Sequence, residues 1–245
     1  MKIKILLFVT FLFSFTLISY AQNIKITPKK TVYKRIVKKG FEDKKTVTIT
    51  YPKVSGLSAA LYKKVENTIS YERVFDFKLK EALTDTYWLD NASYETEYNK
   101  NSILGIALTI EGSGAYPSIY TKHVVVSAKT GLQVKPEDVF IRGKNAELAK
   151  LVEGEMQKSM KQSIAEAAKE YAEDGKALTE MLADKKFTTK ELSHFSVNDK
   201  GVTFFYDYGF PHVNLALEPN GEFFVPFSRL KTFIRRDGLL ARFIR

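Results

Sequence analysis

Three histidines, His123, His194 and His212, are the only imidazoles in a chain of 245 residues that has no cysteine. A nucleophilic triad needs a serine with an oriented imidazole and an oxyanion site beside it. No G-x-S-x-G occurs, and Gly112-Ser113-Gly114 has a different spacing. The H-E-x-x-H zinc helix, the phosphate-cradling P-loop and the dinucleotide fingerprint are all absent. Asp207, His212 and Glu218 would offer a carboxylate–imidazole–carboxylate set if the intervening chain folded back. Oxygen and imidazole donors suit a metal ion, or acid–base work in a cell-wall hydrolase built on Asp207 and His212. Nothing in their spacing demands it, and an ordinary loop is the alternative. His123 falls inside a predicted strand, where a satisfied structural imidazole is the simpler reading. No catalytic residue, metal ligand set or cofactor site is therefore assigned, and the expectation is a protein that is not an enzyme.

The residues better suited to contact than to catalysis lie in two loops. Tyr208-Gly209-Phe210-Pro211-His212 combines two aromatic rings with a glycine and a proline that can hold them outward. Such rings supply large contact area at low entropic cost. Tyr116-Pro117 offers the same chemistry. The candidate ligand-binding residues are thus Tyr116, Pro117, Tyr208, Phe210, Pro211 and His212, with burial in the core as the alternative for the tyrosines and Phe210.

The elements that must carry these loops can be read from hydrophobic period. Val47, Ile49 and Tyr51 alternate with threonines over Thr46–Tyr51, the mark of a half-buried strand, and Pro52 is expected to end it. From Ser58 to about Leu83 the spacing becomes helical, with Leu61, Val65, Ile69 and then Phe75, Leu79, Leu83 on one face and a break near Tyr71–Val74. Three strands follow: one through Tyr94, Thr96 and Tyr98, one through Leu104, Ile106, Leu108 and Ile110, and one over Ile119–Ala128. Asn99-Lys100-Asn101 and the glycines at 112 and 114 are expected to separate them. Asn145 is a suitable N-cap for a long helix along Leu148, Val152, Met156, Met160, Ile164 and Ala168, which Asp174-Gly175 is expected to end. A hairpin over 193–206 and a strand at Glu222–Pro226 complete a β-rich last third. The class is α+β, an antiparallel sheet with helices packed on one face.

The ends carry the address. Lys2 and Lys4 precede an apolar run from Ile5 to Ile18, and Ser19-Tyr20-Ala21 places small residues before a cut ahead of Gln22. That order is a cleavable signal peptide over 1–21, and the run is short of the roughly 20 apolar residues a membrane span needs. Without cysteine there is no disulfide framework and no lipid-anchored N-terminus, so the expected location is periplasmic or secreted. Cleavage leaves roughly 224 residues with no later transmembrane segment, enough for one domain with its own core. The formal charge of +10 favours an anionic surface or wall polymer, while export removes the chain from nucleic acid. Residues 22–45 form a basic N-terminal segment, with an edge strand around 31–37 or an arm for an anionic surface as its two readings. The tail from Ser228 mixes Phe233, Leu239, Leu240 and Phe243 with arginines, so it either packs on the domain or lies on a membrane.

Residues 46–245 resemble a known family. Gly112-Ser113-Gly114-Ala115-Tyr116-Pro117, a strand, Lys129-Thr130-Gly131 and Pro136-Glu137-Asp138-Val139-Phe140 form one block of the resemblance. Phe195-Ser196-Val197, Gly201-Val202-Thr203-Phe204, Tyr208, Pro211 and Val225-Pro226-Phe227-Ser228-Arg229-Leu230 form the other. In order and spacing they are similar to the domain at the C-terminus of RsiV-type anti-sigma factors, found also in other secreted bacterial proteins. The resemblance implies an extracytoplasmic α+β domain without enzymatic activity, and in RsiV-type members a receptor for lysozyme. Tyr116 stands where that family has histidine, and His212 where it has an aromatic residue. No cytoplasmic sigma-binding segment is present, so an anti-sigma role is not expected. The functional expectation is an exported envelope binding module whose partner is lysozyme, another envelope protein or a peptidoglycan-derived ligand.

Overall fold

The computed structural model describes residues 24–245 apart from Val37, Phe41, Tyr87 and Ala115; the leader expected over 1–21 lies outside the described residues. The basic segment does more than lead in. Strand β1 (Lys25–Lys34) runs antiparallel along the whole of β2 (Thr46–Ser55), starting six residues before the expected edge strand. β2 continues past Pro52, which faces Pro28 of the edge strand, where proline is tolerated.

Helices α1 (Ala59–Thr68), α2 (Tyr71–Phe75) and α3 (Leu79–Thr84) replace the single interrupted helix of the sequence reading. The chain is extended at Ser70 and left-handed at Asp76, so the breaks flank α2. Tyr71 is turned into the core, where its hydroxyl donates to the Thr50 carbonyl at 2.8 Å. β3 (Leu89–Lys100), β4 (Ile103–Ser113) and β5 (Pro117–Ser127) form an antiparallel meander. The sheet order is β1-β2-β3-β4-β5, and the β2–β3 pair is parallel because α1–α3 carry the chain over one face between them.

That face holds one core: Val47, Ile49, Leu104, Ile106, Leu108 and Val124 pack against Val65, Ile69 and Leu83 of the helices. β4 is buried on both faces from Ile103 to Leu108, since the residues between its large aliphatics are also covered. The cover on the second face is the rest of the chain: α4 (Pro136–Val139), α5 (Asn145–Glu170), α6 (Ala172–Leu182) and a separate antiparallel sheet of β6 (Phe195–Val197), β7 (Gly201–Phe205) and β8 (Glu222–Pro226). Ile103, Val125 and Tyr98 of the large sheet join Leu148, Val152, Met156, Phe204 and Val225 in this second core. Burying each such side chain stabilises by about 1.5–3 kcal/mol. The α+β class holds, with the strands divided between two sheets.

Two local expectations change. Asn145 is the first helical residue of α5, not its cap, and it follows a 3-10 turn at Arg142–Lys144. The helix ends at Glu170, where Tyr171 is extended, and Gly175 lies inside α6. A Cβ at Gly175 would come within 2.5 Å of the Ala168 Cβ, so that glycine serves close helix contact, not termination. The tail packs on the domain. After α7 (Phe227–Leu230), Ile234, Leu240 and Ala241 are buried, and Phe243 stacks on Phe227 at 4.4 Å. No helix among the described residues is long and apolar enough to cross a membrane.

Candidate functional site

The β4–β5 hairpin ends at Tyr116, and Pro117 opens β5 with both residues exposed. The 3-10 helix His212–Leu217 of the second sheet's layer meets it there. Its first side chain, His212, stacks on Tyr116 with ring centroids 4.4 Å apart and planes 21° from parallel. The structure thus unites Tyr116, Pro117 and His212 across 95 positions of sequence, and leaves Pro211 exposed beside them.

It separates the other two candidates. Tyr208 is 1 % exposed and Phe210 8 %, both within the second core, where Tyr208 packs edge-on against Tyr206. Burial raises the Tyr208 phenol well above its ordinary range, and its hydroxyl has no protein partner. The loop is held from below. Asp207 Oδ1 accepts from Gly209 N at 2.8 Å, and Lys185 Nζ donates to the Tyr208 carbonyl at 2.6 Å. Glu218 Oε1 accepts from Phe210 N at 3.4 Å. The two carboxylates are therefore occupied by local backbone. Among the described residues no three His, Asp or Glu gather as a metal set, so Asp207, His212 and Glu218 do not form the cluster considered from the sequence.

Tyr116 and His212 form one wall of a cleft of about 650 Å³. Its other walls come from residues the sequence reading placed in strands and helices or passed over, and did not assign to the site. Phe75 and Phe77 project from the break between α2 and α3, where left-handed Asp76 reverses the chain between them. Trp88, just before β3, meets Phe77 edge-on at 5.5 Å. Ile110 of β4 lies among them, and Tyr120 and Lys122 close the cleft from the same face of β5. Lys122 Nζ sits 5.4 Å from the Phe75 ring centre and donates to the Val74 carbonyl at 3.0 Å.

Gly112 makes room for this arrangement. A Cβ there would fall 2.5 Å from Trp88 Cε3 and 2.6 Å from its carbonyl oxygen, so only glycine lets the indole lie across β4. The Trp88 carbonyl accepts from Ser113 N at 2.8 Å. Asp90 braces the adjoining end of the hairpin: it pairs with Lys44 at 3.0 Å and accepts from the Ser113 hydroxyl. Lys44 also donates to Ser113 Oγ at 2.7 Å, which ties the basic N-terminal segment to the rim.

Chemically, the cleft offers aromatic faces and edges with one ammonium and one imidazole. Among the described residues no carboxylate lines it. A largely apolar concavity with a few convergent polar groups is the usual form of a ligand site. His123 lies on the opposite face of β5, pairs with Glu97 at 2.9 Å and stacks on Phe205, as a structural imidazole.

No family model matches the sequence, and no curated protein matches it. Solved structures do. A DUF3298 family member from Bacteroides fragilis superposes with a TM-score of 0.60 at 12% identity, covering 91% of this chain and 99% of that one. A DUF3298 family protein from Pseudomonas aeruginosa PAO1 gives a TM-score of 0.52 at 11% identity, over 86% of this chain and 94% of the other. The two-sheet architecture that builds the aromatic cleft is thus similar, over nearly the full length of each, to the fold of DUF3298 proteins.

Proposed function

We propose that this chain is an exported binding module of the cell envelope, without enzymatic activity of its own, and that its ligand occupies the aromatic cleft. The observation that carries the reading is the lining: Phe75, Phe77, Trp88, Tyr116, Tyr120 and His212 converge on one open concavity, and no carboxylate among the described residues lines it. Rings displayed in this way bind apolar side chains and the flat faces of sugars. The signal-like leader and the resemblance to RsiV-type receptors support an envelope setting, with lysozyme or a wall-derived fragment as the ligands to try first. Trp88 is the chain's single tryptophan, so its emission reports directly on the cleft. Titration of the purified chain with lysozyme and with muropeptides should give a saturable change in Trp88 emission with one of them. Binding that leaves Trp88 silent would place the site elsewhere.

A further inference from the structure

We infer that the first half of β5 is a docking edge for an extended segment of a partner protein, apolar with an acidic residue, which adds to the large sheet as a sixth strand. This rests on the reading of the cleft as the ligand seat and names the form in which the ligand arrives.

The inference starts from the backbone. β5 is an edge strand, and its C-terminal end is already paired on the free side: Ser127 N donates to the Leu132 carbonyl at 3.0 Å and Val134 N to the Val125 carbonyl at 2.8 Å. Residues 125 and 127 therefore point outward from the sheet, and by the period of two so do 119 and 121. Pro136 stops the covering segment from continuing, because the chain leaves the edge there as α4. The N–H and C=O groups of Ile119 and Thr121 are left facing solvent, with no further backbone hydrogen bond among the described residues. The side chains agree: Ile119 is 70 % exposed and Tyr120 57 %.

The two edges of the sheet are treated differently. β1 carries Lys25, Lys29, Lys30, Lys34 and Pro28, the features that keep an edge from pairing. The open half of β5 has a proline only at its first residue, Pro117, and a single lysine, Lys122, with Ile119 and Tyr120 between them. Beside it, on the face that carries Tyr120 and Lys122, lies the cleft. A strand added along this edge gains main-chain hydrogen bonds from Ile119 and Thr121 and lays alternate side chains against the aromatic walls. Lys122 is the cationic group there, and no lining carboxylate among the described residues opposes it, so an acidic residue is favoured at the Lys122 end. A second copy of this chain is the poorer occupant, since a formal charge of +10 repels its like.

The probe is a blocked peptide of about eight residues, long enough to span the open edge when extended. Threonine alternates with cleft-side positions that carry glutamate first and phenylalanine next, for a strand antiparallel to β5. With the purified full chain, the peptide should shift Trp88 emission saturably. Ile119→Pro removes an outward N–H and no ladder bond to β4, so it should weaken binding roughly tenfold with an unchanged melting temperature. N-methylation of the peptide amides that face β5 should weaken binding to the unaltered protein equally, and methylation of the other amides should not; this arm holds even if Ile119→Pro fails to fold. Equal affinity for both methylated peptides would overturn the inference. So would a dimer in sedimentation that Ile119→Pro dissociates, which would assign the edge to a second copy. A Trp88 response to muropeptides or lysozyme but never to the peptide would overturn strand addition and leave the proposed function standing. A Trp88 silent to every ligand would remove both.

Discussion

The imidazole of His123 lies flat on the ring of Phe205, with centroids 3.6 Å apart and planes within 5°. One belongs to β5 of the large sheet and the other to β7 of the small one, so this stacked pair joins the two layers. Glu97 of β3 holds the ring in place through Nδ1 at 2.9 Å. Removal of the ring in His123→Ala should cost about 1–2 kcal/mol of unfolding free energy, read as a lower urea midpoint. Trp88 emission in the folded protein should not change, because the cleft is on the other face of β5.

A second tie between the layers responds to acid. Tyr98 donates to Asp199 Oδ1 at 3.0 Å, and Lys100 Nζ reaches Oδ2 at 2.7 Å, clasping the β6–β7 turn to β3. The Lys100 and Tyr98 hydrogen bonds hold the Asp199 carboxyl below its usual range. A carboxyl depressed in the folded state gives stability that is fully present above its unfolded pKa, near 3.9, and is lost as pH falls through the lower folded value. Melting temperature should therefore decline below about pH 4, and Asp199→Asn should lose the carboxylate's contribution at pH 7 and so flatten part of that decline. A variant as acid-sensitive as the parent would remove Asp199 from the explanation.

The buried Tyr208 hydroxyl has no protein partner. A buried polar group without a hydrogen bond costs free energy, so Tyr208→Phe should keep the fold and raise stability by about 1 kcal/mol. Denaturant melts of the two proteins with equal m-values check this. A loss of stability would mean that the hydroxyl is satisfied by water.

Gly112→Ala puts a methyl group into the Trp88 indole and carbonyl. The backbone contact cannot rotate away, so the indole must move. The expected results are a shifted Trp88 emission maximum, loss of the titration response in the cleft, and a destabilisation of about 1–3 kcal/mol. Unchanged emission would show that the strand end yields instead.

The sequence carried the periodic parts of this molecule and much less of the cleft. Leu104, Ile106, Leu108 and Ile110 mark one face of β4 by alternation alone, and they do pack under the helices. On the other face of the strand Ile103 and Ala107 are buried as well, which a one-sided pattern does not reveal and which requires a second layer. Tyr116, Pro117 and His212 are legible as rings and a proline in loops, and they meet at one rim. Tyr208 and Phe210 share that chemistry but face the opposite way, because direction within a loop depends on what lies beneath it. Phe75, Phe77, Trp88, Tyr120 and Lys122 belong to three separate segments, and no local period marks their convergence. The lone tryptophan was the one available hint. Gly112 read as punctuation between strands, when its use is to seat that tryptophan.

The parallel join between β2 and β3 also sets an order of assembly. The meander from Leu89 to Ser127 closes through short turns, so its contacts are near in sequence and form early. β2 must wait for a partner that lies beyond all of α1–α3, with only the β1 hairpin to hold it meanwhile. A chain synthesised from its N-terminus thus has its opening hairpin half-dressed, with Val47 and Ile49 bare until the meander follows.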